Sequence, residues 1–220
     1  MTKAPPPVVK APFEVGDVIK DTYILTREVG AGGFGAIYSA KLKNSSGSKQ
    51  LALKFEKGTD ERPLLYNEVM VLKALQDYKF IAMELLGPNM IDIVNRKKPY
   101  KFSLLAVLKF GIQAINALCD LHRKGFVHRD VKPGNFVIGN SIETSGIFYV
   151  IDFGLCKKMP TQDGQLIKPE YNGNFRGTLR YASLNAHNKL ELGRNDDLMS
   201  LLFILAEFYS GGLPWMKYIR

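Results

Sequence analysis

The chain has 220 residues, a formal net charge of +9, and 46% hydrophobic and 23% charged positions, globular material sufficient for one large domain or two small ones. No stretch reaches the roughly 18 apolar residues of a membrane span, the richest run, "LMSLLFILAEFY", being broken by Glu207, so no membrane partner is expected. The positive balance either favours acidic partners or is a solvated basic face. Its densest group, Asn95 to Lys101, lacks an interleaved series of aromatic side chains, which argues against nucleic acid.

In chain order, residues 1–15 form a leader with three consecutive prolines and no apolar signal-peptide core. It is expected to be extended and the chain intracellular, in the cytoplasm with the nucleus left open. From Phe13 to about Leu86, the runs "TYILTREVG", "GAIYSAKL" and "QLALKFEK" carry β-branched and aromatic residues separated by turn material such as "NSSGS", the pattern of a small antiparallel sheet. The helical signal in this half is "PLLYNEVMVLKAL", opened by Pro63, with Leu65, Val69, Leu72 and Leu75 on one face and Glu68 inside that stripe. The strand "YKFIAME" follows. Beyond "LLGPN", residues 102–125 have the period of a long buried helix stopped by Gly125, and residues 196–212 repeat the theme with Gly211 as the stop. Cys119 and Cys156 have neither metal-ligand spacing nor a disulfide framework. The expected class is α+β, with a sheet domain over residues 16–86 and a mostly helical domain over residues 87–220.

Four motifs carry chemistry. "GAGGFGAIY" places Gly30, Gly32 and Gly35 in G-x-G-x-x-G spacing with Ile37 close behind. Lying between two strands, such a loop can lay backbone N–H groups over a triphosphate. Lys54, on the next strand and 19 residues after Gly35, can neutralise α- and β-phosphates if it is held in place. Glu68 is the candidate holder, because a carboxylate in an apolar stripe is costly unless paired. "HRDVKPGN", residues 128–135, and "DFG", residues 152–154, supply the rest. Moving a phosphoryl group to a hydroxyl requires a proton acceptor, a cation near the transferring oxygens and hard oxygen ligands for Mg²⁺. Asp130, Lys132, and the pair Asn135 and Asp152 fit those roles in turn.

In this order the motifs resemble the eukaryotic protein kinase family, from about Gly16 to Trp215. Lys132, two positions after Asp130, resembles serine/threonine kinases. "FRGTLRYAS", "ELGRNDDLMSLLFILAEF" and "GGLPW" look like the casein kinase one superfamily, and Arg176 before Gly177 resembles its tau-tubulin kinase branch. The resemblance implies a bilobal fold that uses ATP and Mg²⁺. Within it, Met83 is implied as gatekeeper, Glu84 to Leu86 as the adenine-contacting hinge, Ala52, Ile37 and Val137 as the apolar sandwich around adenine, and Asp197 as the acid bracing the catalytic loop. It also implies protein substrates with acidic or phosphorylated contexts, read by Arg129, Arg176 and Arg180. Two departures stand against the pattern. Glu68 and Glu84 are 16 positions apart, about fifteen fewer than the kinase pattern allows, so the sheet is expected to lack one strand. The chain is also expected to be cut short after "GGLPW". The expected function is ATP-dependent phosphorylation of serine and threonine hydroxyls. The alternatives are a catalytically weak nucleotide-binding scaffold and, less in keeping with "GTLRYAS", a small-molecule phosphotransferase. Oligomeric state is left open.

Overall fold

Alternation of inward apolar and outward polar residues is what a half-buried strand requires, and in the first part of the chain it yields five antiparallel strands in sequential order. They are β1 (Val18–Ile19), β2 (Tyr23–Gly32), β3 (Gly35–Leu42), β4 (Gln50–Lys57) and β5 (Tyr78–Glu84). The structure is a computed structural model that describes residues 12–32, 35–45, 50–57, 78–96, 98–162, 165–166 and 175–218. The chain divides between Leu86 and Gly87 into two compact units.

In the first unit the core lies against one face of the sheet. Ile19, Leu25, Ala36, Tyr38, Ala40, Leu53 and Phe55 are buried there, with Phe13, Tyr23 and Phe80 packed around them. Phe55 stands 4.5 Å from Phe13 and 5.6 Å from Phe80 between ring centroids. Two register shifts in β2, between Leu25 and Arg27 and between Glu28 and Gly30, bend that strand before the glycine loop. The proposed helix over residues 63–75, including Glu68 and Leu72, lies outside the described residues. Most of the proline leader does too.

The second unit is built around two helices, α2 (Leu104–Arg123) and α4 (Arg194–Ser210), with the short α1 (Met90–Val94) and α3 (Leu184–His187) beside them. Val107, Phe110, Ala114 and Leu118 of α2 pack with Leu201, Ile204 and Phe208 of α4 in one core. The helices approach closely because Gly111 has no side chain: a Cβ there would stand 3.3 Å from Leu205. Both helices end as expected, on glycines in the left-handed region, Gly125 at φ 84° and Gly211 at φ 87°.

Two expectations change here. Leu104–Arg123 does have the length and the mean hydropathy, 1.6, of a membrane-crossing segment. Its Leu, Ile, Val, Ala and Phe residues outweigh Lys109 and Asp120. Nor is it buried all round, since Leu104, Leu105, Leu108, Ile112 and Ile115 face outward.

The remaining strands are short. β6 (Phe126–Val127) pairs with β9 (Lys157–Lys158), β7 (Phe136–Ile138) with β8 (Phe148–Val150), and β10 (Thr161–Gln162) with β11 (Gln165–Leu166), all antiparallel.

Candidate active site

Residues 128–135 leave β6 and enter β7, whereas residues 151–156 leave β8 and enter β9. Because β6 pairs with β9 and β7 with β8, the two loops are forced side by side. Cross-links hold them there: Ile151 N donates to the Asn135 carbonyl (3.0 Å) and Arg129 Nε to the Leu155 carbonyl (2.7 Å). His128, fully buried, accepts from Asp130 N at Nδ1 (3.3 Å) and makes a 3.2 Å contact with the Ile151 carbonyl at Nε2. That pair of partners fixes a tautomer with the proton on Nε2. Its ring centroid is 5.7 Å from that of Phe153.

The loops converge on Asp130, which is 7% exposed. Lys132 Nζ donates to its Oδ2 at 2.6 Å, Thr178 Oγ1 to its Oδ1 at 2.7 Å, and Asn135 Nδ2 to its backbone carbonyl at 2.9 Å. A carboxylate with both oxygens engaged by a cation and a hydroxyl has a fixed orientation. Gly177, at φ 95°, lets Thr178 reach it, since a Cβ there would stand 2.6 Å from the Arg129 carbonyl oxygen. Two non-glycine residues of the loops, Arg129 and Asp152, also sit at φ 67°. Such backbone costs energy and persists where the surroundings hold it.

Asp197 supplies much of that hold. It is 1% exposed and accepts from His128 N (2.8 Å), Arg129 N (2.9 Å) and His122 Nε2 (2.8 Å). Next to it, Asp196 accepts from Ser183 Oγ (2.6 Å) and from Gly193 N (2.7 Å), which ties the start of α4 to the segment after Thr178.

The donor chemistry fits a divalent cation carried on a phosphate. With Nδ2 of Asn135 donating to Asp130, its Oδ1 would be the end to face a cation, and Asp152 would add a carboxylate. Two hard-oxygen ligands suffice when phosphate and water complete the shell. Among the described residues no cluster of three or more His, Cys, Asp or Glu side chains forms a metal cage.

Strand register collects Gly30, Ile37, Ala52, Lys54 and Met83 on the sheet face opposite the core of the first unit. Ile37 pairs with Gly30 and with Lys54, Lys54 with Ile81, and Ala52 with Met83. Cross-strand partners share a face. Gly32 pairs with Gly35, and a Cβ on Gly35 would fall on the Phe55 carbonyl, so only glycine permits β3 to begin that close to β4. Glu84 ends β5 and is exposed, and Leu86 follows it partly buried. In the second unit Val137 is buried on β7 and bridges to Asn89. Glu68 cannot be placed, being outside the described residues.

The three arginines expected to form an anion site are not all brought together. Arg129 and Arg176 are neighbours: burial first, then Arg176, draws the Arg129 pKa down, while Glu191 pulls it up. Arg180 turns to Glu207 instead, 3.5 Å away, where Tyr181 also donates to that carboxylate at 2.6 Å. Burial and this bond push the Tyr181 phenol far above its usual range.

A two-loop site of this kind, a braced carboxylate beside hard-oxygen donors on an α+β scaffold, belongs to the class of phosphoryl-transfer folds. Residues 23–219 match the protein kinase domain family, and the chain belongs to it, with its bilobal α+β fold. It is 40% identical, over 220 aligned residues, to a probable serine/threonine-protein kinase of Dictyostelium discoideum, an alignment covering 93% of this chain and 44% of the relative. The chain thus spans less than half the length of that relative.

Thr178, His122, Ser183, Asp196 and Glu191 join the site through packing and carry no role in the motifs. Thr178 had a signal, the noted "GTLRYAS" segment. Ser183, Asp196 and Glu191 stand in the segments "FRGTLRYAS" and "ELGRNDDLMSLLFILAEF", and His122 in the predicted long helix, but no local pattern shows which distant group each one meets.

Proposed function

We propose that the chain transfers the γ-phosphoryl group of ATP to serine and threonine hydroxyls of protein substrates. The observation that carries this reading is the Asp130 carboxylate held between Lys132 Nζ and Thr178 Oγ1, and the name of the Dictyostelium relative supports it. Asp130 accepts the proton of the attacking hydroxyl, and Lys132 keeps its carboxylate oriented and adds positive charge beside the transferring oxygens. Gly30, Gly32, Gly35, Ile37, Ala52, Met83, Glu84, Leu86 and Val137 hold the nucleotide, and Lys54, with Glu68 as its partner, neutralises phosphates. Asn135 and Asp152 hold Mg²⁺, which supplies charge to the phosphate oxygens when bound.

Within the family we place the chain in the casein kinase one superfamily, nearest the tau-tubulin branch, on the strength of "FRGTLRYAS", "ELGRNDDLMSLLFILAEF" and "GGLPW". A preference for acidic or phosphorylated substrates follows from Arg176, which is exposed, lies near Arg129 and has no acidic partner among the described residues. Guanidinium groups bind phosphate through paired donors. Peptides with acidic, phosphorylated and neutral flanks around one serine test this. The wild type should favour the first two, and Arg176→Ala should lose about 1.5 to 3 kcal/mol of that discrimination, the value of a hydrogen bond to a charged group. Equal discrimination by both proteins contradicts the assignment.

A further inference from the structure

Glu191 lies between α3 and α4, at the head of the "ELGRNDDLMSLLFILAEF" segment, and the phosphotransfer roles assigned above leave its side chain unused. Its side chain is 18% exposed, and its two oxygens face different elements: Oε2 is 2.7 Å from Lys157 Nζ and Oε1 is 3.6 Å from Arg129 Nη1. The first contact is a charge-assisted hydrogen bond; the second is an ion pair beyond hydrogen-bond length. Arg129 belongs to the loop that carries Asp130. Lys157 belongs to β9, the first strand after Asp152, and its backbone pairs with Val127 immediately before His128. One carboxylate therefore ties together the two segments whose alignment makes the site.

The charges around it are unbalanced. Arg129, Lys157 and Arg176 are three cations, and among the described residues Glu191 is the carboxylate that pairs with the first two. Arg129 is 11% exposed, with its Nε held by Leu155, its N–H by Asp197 and its backbone at φ 67°. It cannot swing into solvent without breaking those bonds. Loss of Glu191 would leave a buried guanidinium facing another cation, a much larger penalty than loss of an exposed pair.

The geometry points to Glu191 as a positioning residue, a fixed internal anion that holds Arg129 and Lys157 together so that the Asp130 loop keeps its shape with no added anion. It rests on the reading of that loop as the phosphotransfer loop. A carboxylate carries one negative charge where a phosphate carries nearly two, so an inorganic anion should be able to replace it.

The test compares the wild type, Glu191→Ala and Glu191→Asp, each with and without millimolar inorganic phosphate, and with chloride at matched ionic strength. Amide hydrogen exchange of residues 128–135, melting temperature, and kcat and KM for ATP and peptide are read. Glu191→Ala should exchange faster through the loop and lose about 10- to 100-fold in kcat, the scale of a small misplacement of a reacting group, with KM for ATP nearly unchanged. Phosphate, but not chloride, should restore both exchange protection and kcat in that variant and leave the wild type as it was. Glu191→Asp should keep part of both. Wild-type exchange in Glu191→Ala, or a loss that phosphate does not repair, overturns the proposal. A wild type that transfers no phosphate refutes the activity assigned to the chain, while the exchange measurements still decide the role of Glu191.

Discussion

Gly177 shows how much a single backbone position can govern. Its φ of 95° and the 2.6 Å approach that a Cβ would make to the Arg129 carbonyl oxygen mean that an alanine must both leave the left-handed region and displace the catalytic loop. The left-handed conformation alone costs roughly 1 to 2 kcal/mol for a residue with a Cβ. Gly177→Ala should lower the melting temperature modestly and phosphoryl transfer far more, because the shift breaks the Thr178 bond to Asp130. A variant with parent activity would show that this bond does not position the carboxylate. At this scale, Asp130, Lys132, Asn135 and Asp152 were legible in the sequence, since they lie in two short strings with fixed spacing. Thr178 meets Asp130 across 48 positions, and Glu191 meets Arg129 at a comparable remove. No local pattern encodes such meetings. The Arg180 contact is of the same kind: its nearness to Arg176 in sequence says nothing of Glu207, which the turn after Thr178 brings within 3.5 Å.

Among the elements, strands with a full period were the legible ones. β3, β4 and β5 have the bounds of the runs "GAIYSAKL", "QLALKFEK" and "YKFIAME", because alternation and flanking turn residues mark both ends. β6 to β9 are two or three residues long, too short to show any period, and yet their pairing is what aligns the two site loops. Helix α4 contributes through its first turn, where Asp197 caps the backbone of the catalytic loop. In Asp197→Asn an amide –NH₂ would replace one acceptor facing the N–H donors. The variant should lose about 1 to 3 kcal/mol, the cost of leaving buried donors unsatisfied, and lose turnover while still binding nucleotide. Denaturant unfolding and single-turnover kinetics would measure both. Stability and turnover equal to the parent's would remove Asp197 as the brace.

For the whole molecule, the sheet and the helical unit each contain one set of candidate residues. The sheet gathers Gly30, Ile37, Ala52, Lys54 and Met83 on one face through register, and the helical unit gathers Asp130, Lys132, Asn135 and Thr178 through loops. β5 pairs with β4 along one edge, and no strand lies on its other edge among the described residues, the place where the short path from Glu68 to Glu84 bears on the fold. The overall class could be read from sequence because period-2 alternation gives way to 3.6-residue periodicity near the middle of the chain. Asp197 as the brace came only with the family resemblance, and the left-handed turns at Arg129 and Asp152 and the meeting of Glu191 with Arg129 and Lys157 could not be read at all, since each exists only once distant segments are packed. The role proposed for Asp130 is to promote phosphoryl transfer to serine and threonine. Its most direct test is to incubate the purified 220-residue chain and its Asp130→Asn variant with γ-labelled ATP, Mg²⁺ and casein, hydrolyse the product and separate the phosphoamino acids. The account predicts label in phosphoserine and phosphothreonine, none in phosphotyrosine, and a rate at least about 100-fold lower in the variant, the lower end of what a positioned base contributes, with nucleotide binding retained. Equal labelling by the two proteins, or no labelling by a wild type that binds ATP, would contradict it.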